Sequence, residues 1–192
     1  ALRAGGSEGR AVGGAVRNAL LGTPVRDVDI ATPARPQDVV RHASFAGLRV
    51  VPTGLDHGTV TVISGGIPFE VTTLRRDVET FGRKARIAFT ADWTEDARRR
   101  DFTINALYCS ADGVVHDPLG GYEDLVDRRV RFIGDARERI REDYLRILRF
   151  FRFFAEYGHG EPDAPSLSAC IAERGGLALL SAERIRAQLI KL

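Results

Sequence analysis

Gly13-Gly14-Ala15-Val16-Arg17-Asn18, followed shortly by Asp27-Val28-Asp29-Ile30, is the pair of segments on which the rest of this chain turns. Glycines let a backbone approach an anion closely, and a helix that starts there offers free N–H groups and the positive end of its dipole. Arg17, one turn into that helix, adds a forked donor suited to phosphate oxygens. In Asp27-Val28-Asp29 a period of two puts both carboxylates on one side of a strand and turns Val28 and Ile30 to the core. Two hard oxygen ligands side by side suit Mg²⁺, which takes carboxylates together with substrate phosphate and water. The two halves predict a phosphate cradle beside a divalent-metal site. The plainer alternative is an exposed edge strand that begins in a turn.

The chain has 192 residues, 44% of them hydrophobic, enough for one domain or two small ones with a buried core. No run approaches the length of a membrane span, and no charged-then-apolar leader opens the chain. Cys109 and Cys170 are the two cysteines, each in apolar company, and read as buried thiols of a reducing, cytoplasmic setting rather than a disulfide. Their spacing suits no metal. The net charge is only +2, but apart from Lys84 and Lys191 every basic side chain is an arginine, the residue that favours planar phosphate and base-edge contacts. Methionine is absent and the sequence stops within a helix-like stretch from Ser181 to Leu192, so it reads as a piece of a longer protein.

Outward from the opening motif, Ala11 and Val12 form a short strand, and the helix after Gly13-Gly14 runs through Leu21, ended by Gly22 and Pro24. The acid-bearing strand follows, then a helix from Pro36 to about Ala46 and a strand from Leu48 to Val51. Gly54-Leu55-Asp56-His57-Gly58 is a turn-rich joint before the strand Thr59 to Ile63, which Ser64-Gly65-Gly66 folds back as a hairpin into Ile67 to Leu74. Helices flanking a hairpin point to the α+β class, a mixed sheet with helices rather than a parallel doubly wound sheet. Thr73 to Arg98 is polar and aperiodic and reads as a long mobile loop anchored at Trp93; Phe102 to Cys109 returns to apolar order, and a hairpin follows at Asp112-Gly113. Helical periodicity dominates after Asp135, with breaks at Gly158 to Pro165 and at Gly175-Gly176, which predicts a head domain over 1–135 and an all-α region over 136–192.

Three further groups carry chemistry. Glu70, in Pro68-Phe69-Glu70-Val71, supplies a third carboxylate if its hairpin packs beside the acid-bearing strand; otherwise it is a solvated strand face. Arg98-Arg99-Arg100-Asp101 leads into Phe102 and Ile104, so Arg100 and Asp101 sit at the edge of a core, where an acid can accept from ribose hydroxyls. Glu142 to Arg152 is an arginine-studded helix whose apolar stripe is Ile147, Leu148, Phe151 and Phe154. Glu142 and Arg146 make an (i, i+4) pair. Asp143 and Arg146 are also neighbours, one acceptor beside one donor, which fits the amino group and ring nitrogen of cytosine and adenine and rejects uracil and guanine. Arg149 and Arg152 continue the row toward a triphosphate. His57 and His116 lack ligand partners at helical or hairpin spacing and take structural roles.

Residues 13–32, 57–62, 69–75, 99–107, 117–125, 141–149 and 181–189, in that order, resemble the tRNA nucleotidyltransferases: the bacterial-type (class II) CCA-adding enzymes and their relatives, the bacterial poly(A) polymerases. The resemblance implies a nucleotidyltransferase-fold head and a helical neck. It places the metal-binding acids at Asp27 and Asp29; with Glu70, from the reading of its strand, these are the expected catalytic acids. It places nucleotide contacts at Gly13, Gly14, Arg17, Arg100, Asp101 and Asn105, base selection at Asp143 and Arg146, and further nucleotide contacts at Arg149 and Arg152. It implies Mg²⁺ as cofactor, CTP and ATP as substrates and the 3′ end of tRNA as acceptor; no membrane is expected, and no protein partner is deducible from the sequence. Poly(A) addition, a partial C-adding or A-adding enzyme and a catalytically silent RNA-binding module are the alternatives. Asn18 departs from the aspartate common in the family at that position, which is not a ligand position.

Overall fold

The computed structural model describes residues 1–81 and 84–192, and its architecture is the expected α+β class. In chain order the strands are β1 (Arg10–Val12), β2 (Asp29–Thr32), β3 (Arg49–Gly54), β4 (Thr59–Ser64), β5 (Ile67–Thr73), β6 (Arg75–Phe81), β7 (Lys84–Phe89), β8 (Tyr108–Ser110) and β9 (Val115–His116). The helices are α1 (Gly14–Leu20), α2 (Pro36–Phe45), α3 (Trp93–Arg98), α4 (Gly121–Val126), α5 (Ala136–Glu142), α6 (Leu145–Tyr157), α7 (Ala164–Ala172) and α8 (Ala182–Leu189). Among the described residues, seven strands make one mixed sheet in the order β3-β4-β5-β2-β1-β8-β9. Only β2 and β5 run parallel, and their register sets Asp29 opposite Glu70.

Local chemistry explains the early elements. Gly13 has φ +69°, a conformation natural to glycine, and its N–H donates to the Leu107 carbonyl at 3.0 Å, which pins the turn from β1 into α1. Gly65 and Gly66, both at positive φ, close the two-residue β4–β5 turn, as the glycine pair predicted. Along β2 the side chains alternate between two cores. Ile30 packs with Val39, Ala43, Val60, Val62 and Val71 beneath α2, while Ala31 packs with Val12, Leu74, Ala97, Ala106, Tyr108 and Ile133 on the other face. Asp29 shares the face of Ala31 at the open end of the strand.

Two expectations are corrected. The stretch from Thr73 to Arg98 is not a loop: β6 and β7 pair as an antiparallel two-stranded ribbon, and α3 follows, capped by Asp92, whose carboxylate accepts from the Thr94 N–H at 2.7 Å. Gly82 and Arg83 lie outside the described residues. The ribbon is held by main-chain pairing, and its first strand opens Arg75-Arg76-Asp77 with Val78 52% exposed, a start that shows no buried period of two. Trp93 does anchor the segment, edge-on to Tyr108 at 5.2 Å with the Arg10 guanidinium 4.1 Å above its ring. The stripe of α6 is also different: Leu145, Ile147, Phe150, Phe153 and Tyr157 are buried, whereas Phe151 is 43% exposed. Paired apolar residues at 147–148, 150–151 and 153–154 fit two adjacent stripes, and the aromatic surface of Phe102 and Phe132 selects one. α4 lay outside the sequence reading. It sits against the 3-10 turn Thr103–Asn105 so closely that a Cβ on Gly121 would fall 2.1 Å from the Thr103 carbonyl oxygen.

The largest apolar cluster joins Val16, Phe102, Ile104, Leu107 and Leu125 to Ile140, Ile147, Phe150, Phe153, Tyr157 and Cys170. The texture becomes helical after residue 135, but one core runs across that point. Both cysteines are free; burial pushes the Cys170 thiol up to about 12. Among the described residues no helix is long and apolar enough to cross a membrane.

Candidate active site

The turn from β1 into α1, the 3-10 turn after Asp101, and the inner face of α6 enclose one cleft of about 650 Å³. Gly13, Gly14, Arg17, Asp29, Arg100, Asp101, Asn105, Asp143, Arg146, Arg149 and Arg152 all line it. Asp27 and Glu70 do not. Asp27 precedes β2 and lines a neighbouring cleft that shares Gly14, Asp29 and Arg152 with the first. Glu70 rises beside Asp29 on the adjacent parallel strand, exposed to solvent.

The cleft floor is a hydrogen-bonded network. Asp101 is buried; its Oδ1 accepts from the Phe102 N–H at 2.9 Å and Asn105 Nδ2 at 3.1 Å, and its Oδ2 from Arg149 Nε at 2.7 Å. Burial alone would raise its pKa, but the Arg149 guanidinium and these hydrogen bonds hold it below the usual carboxylate range. Asn105 Oδ1 in turn accepts from Arg17, tying α1 to the same network. Arg17 is 6% exposed, stacks 3.9 Å over the Tyr157 ring, and donates to the Tyr157 hydroxyl at 2.7 Å and to Asn18 Oδ1 at 2.9 Å. It therefore clamps α1 onto the end of α6, and burial lowers its pKa against the pull of Tyr157 and Glu156.

Arg100 is held by Asp96, a residue that sequence reasoning passed over inside its expected loop. Asp96, 1% exposed, accepts from Arg99 Nε at 2.8 Å, Arg100 Nη2 at 3.1 Å, the Tyr108 hydroxyl at 2.8 Å and the Arg75 N–H at 3.2 Å. Burial opposes its charge, but Arg99 and Arg100 outweigh that and depress its pKa. The signal available in the sequence was Asp92, a helix cap three residues ahead of Glu95-Asp96.

Asp143 caps the end of α5 and Arg146 lies in the first turn of α6; the Arg146 N–H donates to the Asp143 carbonyl at 3.0 Å, but their side chains share no hydrogen bond or ion pair among the described residues. Asp143 accepts from the Leu145 N–H at 3.1 Å and from Arg184 Nη2 of α8 at 2.7 Å. Arg146 donates to the Arg139 carbonyl at 2.7 Å and to Glu142, the (i, i+4) pair of the sequence reading. Each keeps capacity: a second lone pair on each carboxylate oxygen, and guanidinium N–H groups beyond those two bonds. Arg184 was quoted within a motif but given no role; only the tertiary fold brings it to Asp143.

Two observations fit charged ligands. Arg152 Nε is buried without a hydrogen-bond partner among the described residues, and burial together with the like charge of Arg149 lowers its pKa, as expected of a cation placed to meet an anion. Asp29 is pushed above its ordinary value, first by desolvation and also by the like charge of Asp27, while Arg100 opposes the rise. A divalent cation held by Asp27 and Asp29 would relieve that repulsion, and two carboxylates would leave room for phosphate and water oxygens. Among the described residues no three carboxylate, His or Cys side chains converge into a closed metal cage.

This geometry is that of a nucleotidyltransferase head with helices laid across its cleft. The chain belongs to the family of the Poly A polymerase head domain, whose profile matches residues 9–131. It is 48% identical over 188 residues to the mitochondrial CCA tRNA nucleotidyltransferase 1 of Danio rerio, covering 95% of this chain and 43% of that protein. The structure of Bacillus stearothermophilus CCA-adding enzyme in complex with CTP superimposes with a TM-score of 0.86 at 37% identity, over 99% of this chain and 45% of that one. A tRNA nucleotidyltransferase complexed with a primer tRNA and an incoming ATP analog gives a TM-score of 0.78 at 28% identity, over 97% and 53% of the two chains. The chain thus spans about half the length of the relatives it matches.

Proposed function

We propose that this chain carries the catalytic head and the nucleotide-reading helices of a cytoplasmic enzyme that adds C and A to the 3′ end of tRNA, from CTP and ATP, without a nucleic-acid template. The observation that carries this reading is the single cleft shared by the α1 turn, Asp29, Arg100, Asp101 and the row Asp143, Arg146, Arg149 and Arg152. The likeness to enzymes of that name, one of them holding CTP, supports it.

In this reading Asp143 and Arg146 present one acceptor and one donor to the base edge, the order that cytosine and adenine complement. Arg149 and Arg152 hold the triphosphate, and the α1 turn approaches it through Gly13 and Gly14. Asp101 positions Arg149, and Asp96 positions Arg100, so both guanidinium groups are oriented before substrate arrives. Asp27 and Asp29 would hold Mg²⁺, with Glu70 alongside; the ion supplies charge neutralisation at the phosphates and lowers the pKa of the RNA 3′-hydroxyl.

The test supplies tRNAs ending before C, after C and after CC with each nucleoside triphosphate separately. Stepwise C, C, then A is expected, with no G or U. Repeated A on any RNA end overturns the reading in favour of polyadenylation. Asp27→Ala should abolish transfer with an unchanged circular dichroism spectrum, and Asp143→Ala should relax base choice more than it weakens triphosphate binding.

A further inference from the structure

A second cleft lies beside the nucleotide site, and Asp27 and Asp29 both line it. It encloses about 600 Å³, shares Gly14, Asp29, Arg152, Glu156 and Tyr157 with the first, and adds Asn18, Arg26, Asp27 and Arg128. Arg26 and Arg128 are exposed, and neither forms an ion pair or side-chain hydrogen bond among the described residues. Arg128 is the one non-glycine residue with positive φ among the described residues, at 55°. It sits just past the C-cap of α4, the position where glycine relieves strain most cheaply. The chain keeps an unpaired arginine there, on the wall of this cleft.

Direction follows from α6. The base-reading end lies at Asp143 and Arg146, and Arg152 is about 9 Å further along the helix axis. Glu156 and the second cleft come a turn beyond. A nucleotide laid from Arg146 toward Arg152 therefore points its outer phosphates at Arg26 and Arg128. We infer that this second cleft receives the pyrophosphate released on nucleotidyl transfer, with Arg128 and Arg26 as its anion-binding residues. In that step the RNA 3′-oxygen bonds to the α-phosphorus while the bond from that phosphorus to the bridging oxygen breaks. The electron pair leaves with pyrophosphate, and the hydroxyl proton passes to water. In-line displacement puts the leaving group opposite the attacking oxygen. The inference rests on the nucleotidyl-transfer reading.

The experiment is calorimetric binding of inorganic pyrophosphate, of CTP and of tRNA, each with Mg²⁺, to the 192-residue chain and to its Arg128→Gly and Arg26→Ala variants. Glycine is chosen at 128 because its φ accepts that residue without strain. Arg128→Gly is expected to weaken pyrophosphate about tenfold, the loss of one charge-assisted phosphate contact, and CTP by less than about threefold. Unchanged pyrophosphate affinity overturns the inference. Equal losses for pyrophosphate and CTP also overturn it, by putting Arg128 on the bound triphosphate. A loss confined to tRNA assigns the cleft to the RNA backbone and overturns it too. Arg128-dependent pyrophosphate binding in a chain that transfers no nucleotide overturns the proposed activity and leaves the anion site standing.

Discussion

Replacing Asp96 by alanine should unfold the chain at much lower denaturant and also release a cleft arginine. The carboxylate is 1% exposed and accepts four hydrogen bonds, from Arg99, Arg100, Tyr108 and the Arg75 N–H, at 2.8 to 3.2 Å. Its removal strands two guanidinium groups whose own exposure is only 17% and 19%, together with a buried hydroxyl. Breaking a buried pair by removing one partner costs roughly 3–5 kcal/mol, because the surviving charge keeps its desolvation penalty without its partner. With a urea slope of about 2–3 kcal/mol per molar, the midpoint should fall by roughly 1–2 M. Equilibrium urea unfolding followed by circular dichroism and by Trp93 fluorescence reads this directly. Asp96→Asn keeps one acceptor oxygen and should lose less. A midpoint shift below about 0.3 M in Asp96→Ala, with the slope unchanged, would refute the view that this carboxylate holds the β6–α3 segment and Arg100 in place.

The other predictions test packing and charge. Gly121→Ala puts a methyl 2.1 Å from the Thr103 carbonyl oxygen, so thermal melts should show a loss of roughly 1–3 kcal/mol or more, and a wild-type melt would contradict the contact. Phe150→Ala, fully buried among Phe102, Phe132 and Phe151, should cost roughly 3–5 kcal/mol, whereas Phe151→Ala, 43% exposed, should cost far less; the reverse ranking would restore the stripe first read from the sequence. Asp96 and Asp101 have depressed pKa values in the fold, so their stabilisation is complete above the ordinary carboxylate range and is lost as pH falls from about 4 through those lower values. Urea midpoints measured from pH 7 downward should drop in that window, and a flat profile would contradict it. Asp29 is shifted the other way: the fold favours its protonated form, so Asp29→Asn should raise the melting temperature in a chelator and abolish the further rise that Mg²⁺ gives the unmodified chain.

What the sequence determined by itself is the chemistry written in neighbouring residues. A glycine pair before a helix, Asp27 and Asp29 two apart, a Gly65-Gly66 hairpin and an arginine every third residue along α6 each draw their meaning from local backbone geometry, so the α+β class and most of the residues that share the cleft were legible. The β6–β7 ribbon was not, because its strands pair through main-chain groups and Arg75-Arg76-Asp77-Val78 carries no buried alternating face. The face of α6 was not, because doubled apolar residues fit two stripes and the aromatic cluster around Phe102 chose between them. Asp96 and Arg100 are only four apart, and that pair was hidden because its helix read as loop. Tertiary structure alone decided that Arg184, far along the chain, binds Asp143 and that Arg17 closes against Tyr157. Those two contacts join residues 41 and 140 positions apart, and side-chain pairs at long separation leave no periodic trace in a sequence. They arise when burial of the common core brings the helices over the sheet, and a charge drawn into that interior must find its partner wherever the fold supplies one.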